Sequence, residues 1–253
     1  MRIAVSDYDG TLYYKGSVRK EDIDAILAWR KAGNLFGFAT GRDLSLALYG
    51  ANHWGIPFDF LICLNGAALY DNNLKLLKKT DIPESLIKEV LTHPAALASM
   101  HDQLCVNGIN KIYIRSAESY FRKSELSFQE ITFEEALAER EVQQISLAYA
   151  SELEYYQNAG TLQESFHDRL SLNINGFFVD INNQGVNKLA GLLAMLAIQG
   201  WAAEGLLAIG DGENDISMIR RFKGFCVANA PEKVAKEAAA VYHNVGEMLM
   251  DRL

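Results

Sequence analysis

The sequence has no basic excess, no paired-cysteine motif, no long apolar run and no internal repeat. Lys and Arg total 24 against 32 Asp and Glu, a formal net charge of −8. A nucleic-acid surface needs a basic excess, so no nucleic-acid partner is expected. Small anionic ligands stay open, because a few local donors override a net field. The three cysteines, Cys63, Cys105 and Cys226, are far apart and show no CxxC or other metal spacing. They read as buried thiols in a reducing compartment. The N-terminus carries no long apolar region, so no secretory signal is expected. The longest helical apolar stretch, Leu189 to Ile198, falls short of the ~20 residues that cross a bilayer. The expectation is a cytoplasmic chain with no membrane partner.

What is present is ample apolar material. Of 253 residues, 49% are hydrophobic, enough for one large domain or a core with a smaller second domain. Arg2 to Ser6 reads as a buried strand, and Glu21 to Ala32 as a helix with Ile23, Ile26, Leu27 and Arg30 at helical spacing. Leu35 to Ala39 is a second strand, Leu44 to His53 a helix, and Phe60 to Leu64 a third strand. This alternation implies a parallel sheet with right-handed crossovers. From about Asp81 to Gln184 the pattern changes to short strands: Lys111 to Ile114, Gln144 to Tyr149, Leu170 to Ile174, and Phe177 to Ile181. Helical candidates lie among them, and Asn173 to Gly176 resembles a hairpin turn. This is the pattern of an α+β unit on an antiparallel sheet. The first pattern then resumes with a helix at Asn187 to Gln199 and strands at Gly205 to Ile209 and Phe225 to Ala228. Ile216 to Phe222, Glu232 to Ala239 and Val245 to Leu253 read as helices. The expected organisation is an α/β core (residues 1–80 and 185–253) interrupted by an α+β unit (residues 81–184).

Open parallel sheets bind ligands at the carboxyl ends of their strands. There the sequence puts Asp7 and Asp9, then Thr40, Gly41 and Arg42, then Asn65 and Gly66, and finally Asp211, Asn214 and Asp215. Each group alone has an ordinary explanation. Asp-x-Asp also occurs in turns and caps, Thr-Gly-Arg is common loop chemistry, and helix N-termini tolerate carboxylates. In this order, at successive strand ends, they read as one site. Four converging carboxylates repel unless a hard dication such as Mg2+ joins them. Thr40 offers a hydroxyl, Gly41 an unobstructed N–H and Asn214 an amide. Lys188 is the candidate cation, although alone it would read as a surface lysine. Tyr8, between Asp7 and Asp9, is expected to point away from a metal. The five histidines form no spaced cluster.

Asp7-Tyr-Asp9-Gly-Thr-Leu12, Thr40-Gly41-Arg42, Lys188 and Gly210-Asp-Gly-Glu-Asn-Asp215 resemble, in order, the four motifs of the haloacid dehalogenase superfamily. Asn65-Gly66-Ala67 is similar to a feature of its Cof-like branch (type IIB, with a C2-type α+β cap). The resemblance implies a Rossmann-like core with an inserted cap. It implies Mg2+-dependent hydrolysis of small phosphomonoesters such as sugar phosphates. Asp7 would be the nucleophile and Asp9 the acid and base. Thr40, Gly41, Lys188 and Asn214 would hold phosphate, while Arg42 would order that loop or meet the cap. Asp7, the backbone carbonyl of Asp9, and Asp211 would hold Mg2+, with Asp215 in support. A phosphomutase uses the same aspartyl-phosphate chemistry. A phospho-accepting switch would lack both the cap and Asp9, and an inactive binding module would have lost a catalytic position. Substrate choice would lie in the cap, where Phe121, Tyr113, Tyr149, His167 and Arg169 are candidates.

Overall fold

The computed structural model describes residues 1–123, 128–175 and 178–253. They form two compact units. One comprises Met1–Arg42, Ala47–Lys78 and Asn187–Leu253, and the other Asp43–Leu46 and Lys79–Val186.

The first unit is α/β. Its eight-stranded sheet runs in the order Ala240–Tyr242, Phe225–Val227, Leu207–Gly210, Ile3–Ser6, Leu35–Ala39, Phe60–Cys63, Ala68–Asp71, Leu76–Lys79. Pairing is parallel from Ala240–Tyr242 to Phe60–Cys63, and Ala68–Asp71 then turns back antiparallel. The central strand Ile3–Ser6 is buried along its whole length, as a strand covered on both faces must be. The helix Lys188–Gln199 packs on the sheet through Leu192, Met195 and Leu196. Asn187 starts this helix by accepting the Ala190 N–H, and Gly200, in the left-handed region, ends it.

The helix expected at Glu21 to Ala32 spans Lys20–Lys31 and buries Asp22, Ala25, Ile26 and Trp29. Leu27 is 51% exposed, so the inward face lies to one side of the expected one. Trp29 decides this orientation: it is wholly buried and donates its indole N–H to Leu35 O. The helix expected at Glu232 to Ala239 stops at Ala235, and Ala240–Tyr242 joins the sheet as an edge strand on Phe225–Val227. Sheet pairing overrides a weak helical pattern there.

The second unit is α+β. Its six-stranded sheet has the order Gln129–Glu130, Ile109–Ile114, His101–Val106, Val142–Ala148, Phe178–Asn183, Leu170–Asn175. All pairs are antiparallel except Gln129–Glu130 with Ile109–Ile114. Leu104, Ile145, Leu147, Val179 and Ile181 form an apolar cluster with Ile87, Val90, Tyr155, Leu162 and Phe166 of the helices. The opposite strand positions are polar and equally buried, among them Gln103, Gln144, Ser146, Asp180 and Asn182. His101–Val106 was not expected as a strand, because its polar residues hide the alternation that marks one. Gly176 and Phe177, in the expected hairpin and strand, lie outside the described residues. No described helix is long and apolar enough to cross a membrane.

Candidate active site

The strand Ile3–Ser6 delivers Asp7, whose N–H continues the ladder to Ile209 O at 2.9 Å. The chain then turns sharply. Tyr8 O accepts the N–H groups of Leu12 and Tyr13, and Gly10 N–H donates to Tyr13 O at 2.8 Å. Gly10 has φ +85°, and a Cβ there would lie 2.2 Å from Asp211 Oδ2. Only glycine satisfies both demands. The turn brings the Thr11 hydroxyl to Asp211 Oδ1 at 2.7 Å and to Asp7 Oδ2 at 3.4 Å. Asn229 closes the loop from outside by donating to Gly10 O at 2.8 Å.

Asp215 organises the loop that follows Leu207–Gly210. Its Oδ2 accepts the N–H groups of Asp211 and Gly212 at 3.1 and 2.9 Å, and its Oδ1 accepts from Lys188 Nζ at 2.7 Å. Lys188 Nζ also donates to Asp7 Oδ1 at 2.6 Å. This lysine is 1% exposed, so it is not the surface lysine that its own segment alone would suggest. The first turn of its helix lies against the Asn65-Gly66 segment, where a Cβ at Gly66 would stand 2.4 Å from Asn187 O. Leu64, Asn65 and Gly66 all have positive φ, a run that turns the chain tightly after the strand Phe60–Cys63. That turn lets the lysine helix approach.

Asp7, Asp211 and Asp215 each offer an oxygen within 4.8 Å of the others. Three carboxylates against one ammonium leave about two negative charges in excess. Burial pushes the Asp7 carboxyl well above the usual carboxylate range, opposed by Lys188 and reinforced by Asp215 and Asp211. Asp211 is raised for the same first cause. Burial alone would lower the Lys188 ammonium, but Asp215 and Asp7 reverse this and hold its pKa above the ordinary lysine value. An all-oxygen donor set with two surplus charges fits a hard divalent cation.

Asp9 turns elsewhere. Arg42 forks onto it, with Nε to Oδ2 and Nη2 to Oδ1 both at 2.7 Å. The guanidinium lies over the Tyr8 ring at 4.5 Å and near Tyr13 at 5.7 Å, and these two rings stack. Tyr8 is therefore part of the shelf beneath the Arg42–Asp9 pair. Thr40 is 1% exposed, and its Oγ1 accepts the Arg42 N–H at 3.1 Å. Its backbone bridges Ile62 O and the Asn65 N–H, which joins this loop to the Asn65-Gly66 turn. Asn214 is half-buried, and its Oδ1 lies where a Cβ at Gly212 would come within 2.6 Å. The structure thus gathers Asp7, Asp211, Asp215 and Lys188 in one hydrogen-bonded cluster and pairs Asp9 with Arg42. Thr11 had no assigned role in the sequence reading, and its signal was the spacing of four from Asp7 across a glycine turn. In the second unit, Tyr149 and Phe121 are buried, Tyr149 donates to Ala95 O, and Arg169 pairs with Glu89.

A family model described as haloacid dehalogenase-like hydrolase matches residues 4–247. The pyridoxal phosphate phosphatase YbhA of Escherichia coli K12 is 28% identical over 269 aligned positions, covering 95% of this chain and 92% of that protein. Among solved structures, a HAD/COF-like hydrolase from Plasmodium vivax superposes with a TM-score of 0.87 at 22% identity, covering 100% of this chain and 95% of that one. The subclass IIB sugar phosphatase BT4131 superposes with a TM-score of 0.84 at 21% identity, covering 100% and 97%. The chain belongs to the haloacid dehalogenase-like hydrolases.

Proposed function

We propose that the protein is a Mg2+-dependent phosphatase that hydrolyses a small phosphorylated metabolite in the cytoplasm through an aspartyl-phosphate on Asp7. The observation that carries this reading is the buried Lys188 ammonium, 2.6 Å from Asp7 Oδ1 and 2.7 Å from Asp215 Oδ1, beside Asp211. Burying a lysine among carboxylates is costly for a fold. It is useful where a carboxylate must approach an anionic phosphate.

Mg2+, held by Asp7, Asp211 and the backbone carbonyl of Asp9 with Asp215 in support, would neutralise charge between nucleophile and phosphate. Thr40, Gly41, Lys188 and Asn214 bind the phosphate oxygens. An Asp7 oxygen attacks phosphorus, and the bond to the leaving alcohol breaks as Asp9 gives that oxygen a proton. Asp9 then takes a proton from water as the water oxygen attacks phosphorus. The acyl–phosphate bond breaks, returning the Asp7 carboxylate and releasing inorganic phosphate. Arg42 orients Asp9 for both proton transfers through its two-point contact. The relatives' substrates, pyridoxal phosphate and sugar phosphates, indicate the class.

The test is phosphate release from sugar phosphates and pyridoxal phosphate, in Mg2+ and in EDTA, by wild type and Asp7→Ala. Turnover should vanish in EDTA and fall by at least ~10³-fold in Asp7→Ala. A folded Asp7→Ala protein that keeps wild-type turnover would sink the mechanism.

A further inference from the structure

Tyr8 stands between the two aspartates of the first loop, and its ring is gripped from several sides. It is 2% exposed. Phe38 meets it edge-on, with centroids 5.7 Å apart at 89°. Tyr13 stacks on it at 5.7 Å and 8°, and Tyr13 leans in turn on Trp54 at 6.5 Å. The hydroxyl end of Tyr8 fills a notch at Gly50, where a Cβ would come within 2.2 Å of the phenolic oxygen. Gly50 lies inside the helix Leu44–Trp54, where glycine is less favourable than alanine. The room it leaves is taken by this ring. All these residues belong to the α/β unit.

Filling a core does not require a ring with a cation on its face. The Arg42 guanidinium lies 4.5 Å from the centre of Tyr8, and that same guanidinium forks onto Asp9 with both bonds at 2.7 Å. An arginine side chain has many rotamers, so a carboxylate held by arginine alone moves with it. The ring face confines the guanidinium to one plane. Tyr8 also acts on Asp9 from the other end. Its backbone oxygen accepts the N–H groups of Leu12 and Tyr13 at 3.1 and 2.8 Å, which folds the Asp9 turn back on Tyr8, and Asp9 bridges to Tyr13. One residue thus fixes both the turn that carries Asp9 and the cation that grips it. An aliphatic side chain at position 8 would pack as well against Phe38 but would offer no face to Arg42.

We infer that Tyr8, with Tyr13 stacked on it, is a positioning residue for proton delivery: its ring holds the Arg42 guanidinium, which aims the Asp9 carboxyl at the leaving oxygen. The inference rests on the phosphatase reading above and adds two residues to that site. Its consequence depends on the leaving group. An alcohol leaves as its oxygen takes the Asp9 proton while the bond to phosphorus breaks. p-Nitrophenolate is stable as an anion and leaves without that proton. A misaimed Asp9 therefore penalises alkyl esters and spares the aryl ester.

The experiment measures kcat/KM for p-nitrophenyl phosphate and for the alkyl ester that wild type hydrolyses best among sugar phosphates and pyridoxal phosphate. In Tyr8→Leu the ratio of alkyl to aryl ester should fall roughly 10-fold, with the aryl value itself within about 3-fold of wild type. Tyr8→Phe, which keeps the ring, should keep the wild-type ratio. Asp9→Asn should lower the ratio further, and adding Tyr8→Leu to it should change nothing more, because Tyr8 acts through Asp9. Equal losses on both esters in Tyr8→Leu would reduce Tyr8 to packing and overturn the inference. A Tyr8→Phe ratio as low as that of Tyr8→Leu, or a further fall of the ratio in the double variant, overturns it too. If Tyr8→Leu does not fold, Tyr13→Leu decides, at the half-buried end of the stack. Its ratio should fall about 3-fold, and an unchanged ratio overturns the inference. Asp7→Ala separates the two readings. Turnover lost in Asp7→Ala with an unchanged Tyr8→Leu ratio rejects only the role of Tyr8, whereas turnover kept in Asp7→Ala rejects the phosphatase mechanism itself.

Discussion

The α/β unit and the α+β unit both bury polar side chains, but they do so by opposite means. The first concentrates charge: Asp7, Asp211 and Asp215 crowd within 4.8 Å around a single buried lysine. The second spreads amides and hydroxyls, together with the Asp180 carboxylate, over a sheet face. Ser146 Oγ donates to Asp180 Oδ1 at 2.6 Å, and Asn182 Nδ2 donates to Gln143 O at 3.0 Å and to Gln144 Oε1 at 3.2 Å. A network made mostly of amides and hydroxyls can be satisfied from within, one group to the next. Three carboxylates around one ammonium, when ionised, leave a negative excess that a bound cation can offset.

The largest effect that would break this contrast is at Lys188. Lys188→Met leaves Asp7 and Asp215 without their shared cation and should destabilise the ion-free protein by about 3–5 kcal/mol. Urea denaturation in EDTA reads this directly. A midpoint equal to wild type would show that the carboxylates do not depend on the lysine.

Next comes the amide network. Asn182→Leu removes two donated bonds and the one accepted from Asn173 Nδ2, at a wholly buried position. It should cost about 2–3 kcal/mol through the partners left unsatisfied, with no dependence on divalent cation. A Mg2+-dependent loss would tie this residue to the charged cluster and erase the distinction.

The smallest expected effect concerns His101, which burial pushes down to about 4. The ring accepts or donates at Nδ1 with Ser119 Oγ and lies against Phe121 and Tyr120. A folded-state pKa below the unfolded value gives stability that is present above about pH 6.5 and is lost as pH falls toward 4. Asp102, raised by burial to about 6, contributes with the opposite sign, its stability falling as pH rises through that range. The informative quantity is therefore the difference between His101→Gln and wild type. That difference should shift in favour of the variant by about 2 kcal/mol between pH 7 and pH 5. A pH-independent difference would mean that His101 is protonated without cost where it stands.

Much of the fold was readable from strings of residues. Runs such as Phe60–Cys63 and Leu207–Gly210 are continuous and apolar because both of their faces are covered, and Ile216–Phe222 falls where its spacing put it. The strands Ala68–Asp71, Leu76–Lys79 and Ala240–Tyr242, the last two at the edges of the sheet, were not readable, since such short strands draw their stability from pairing with a neighbour rather than from their own residue pattern. His101–Val106 escaped for a different reason. It carries buried polar residues on one face, so its hydrophobic pattern is incomplete.

For the candidate site, the sequence alone determined which residues stand where strands end: Asp7 and Asp9, Thr40 to Arg42, and Asp211 to Asp215. Chain direction and apolar patterning suffice for that, because a parallel sheet brings all its strand exits to one edge. Only the tertiary structure decided how these groups pair. Lys188 could have been a surface cation, and it is buried between Asp7 and Asp215 because the Asn65-Gly66 turn lets its helix approach. Arg42 could have faced several partners, and its fork is on Asp9 above the Tyr8 and Tyr13 rings. The reason is common to both. A charged side chain takes its meaning from the few ångströms around its terminal atoms, and those neighbours come from segments as much as 181 residues away along the chain.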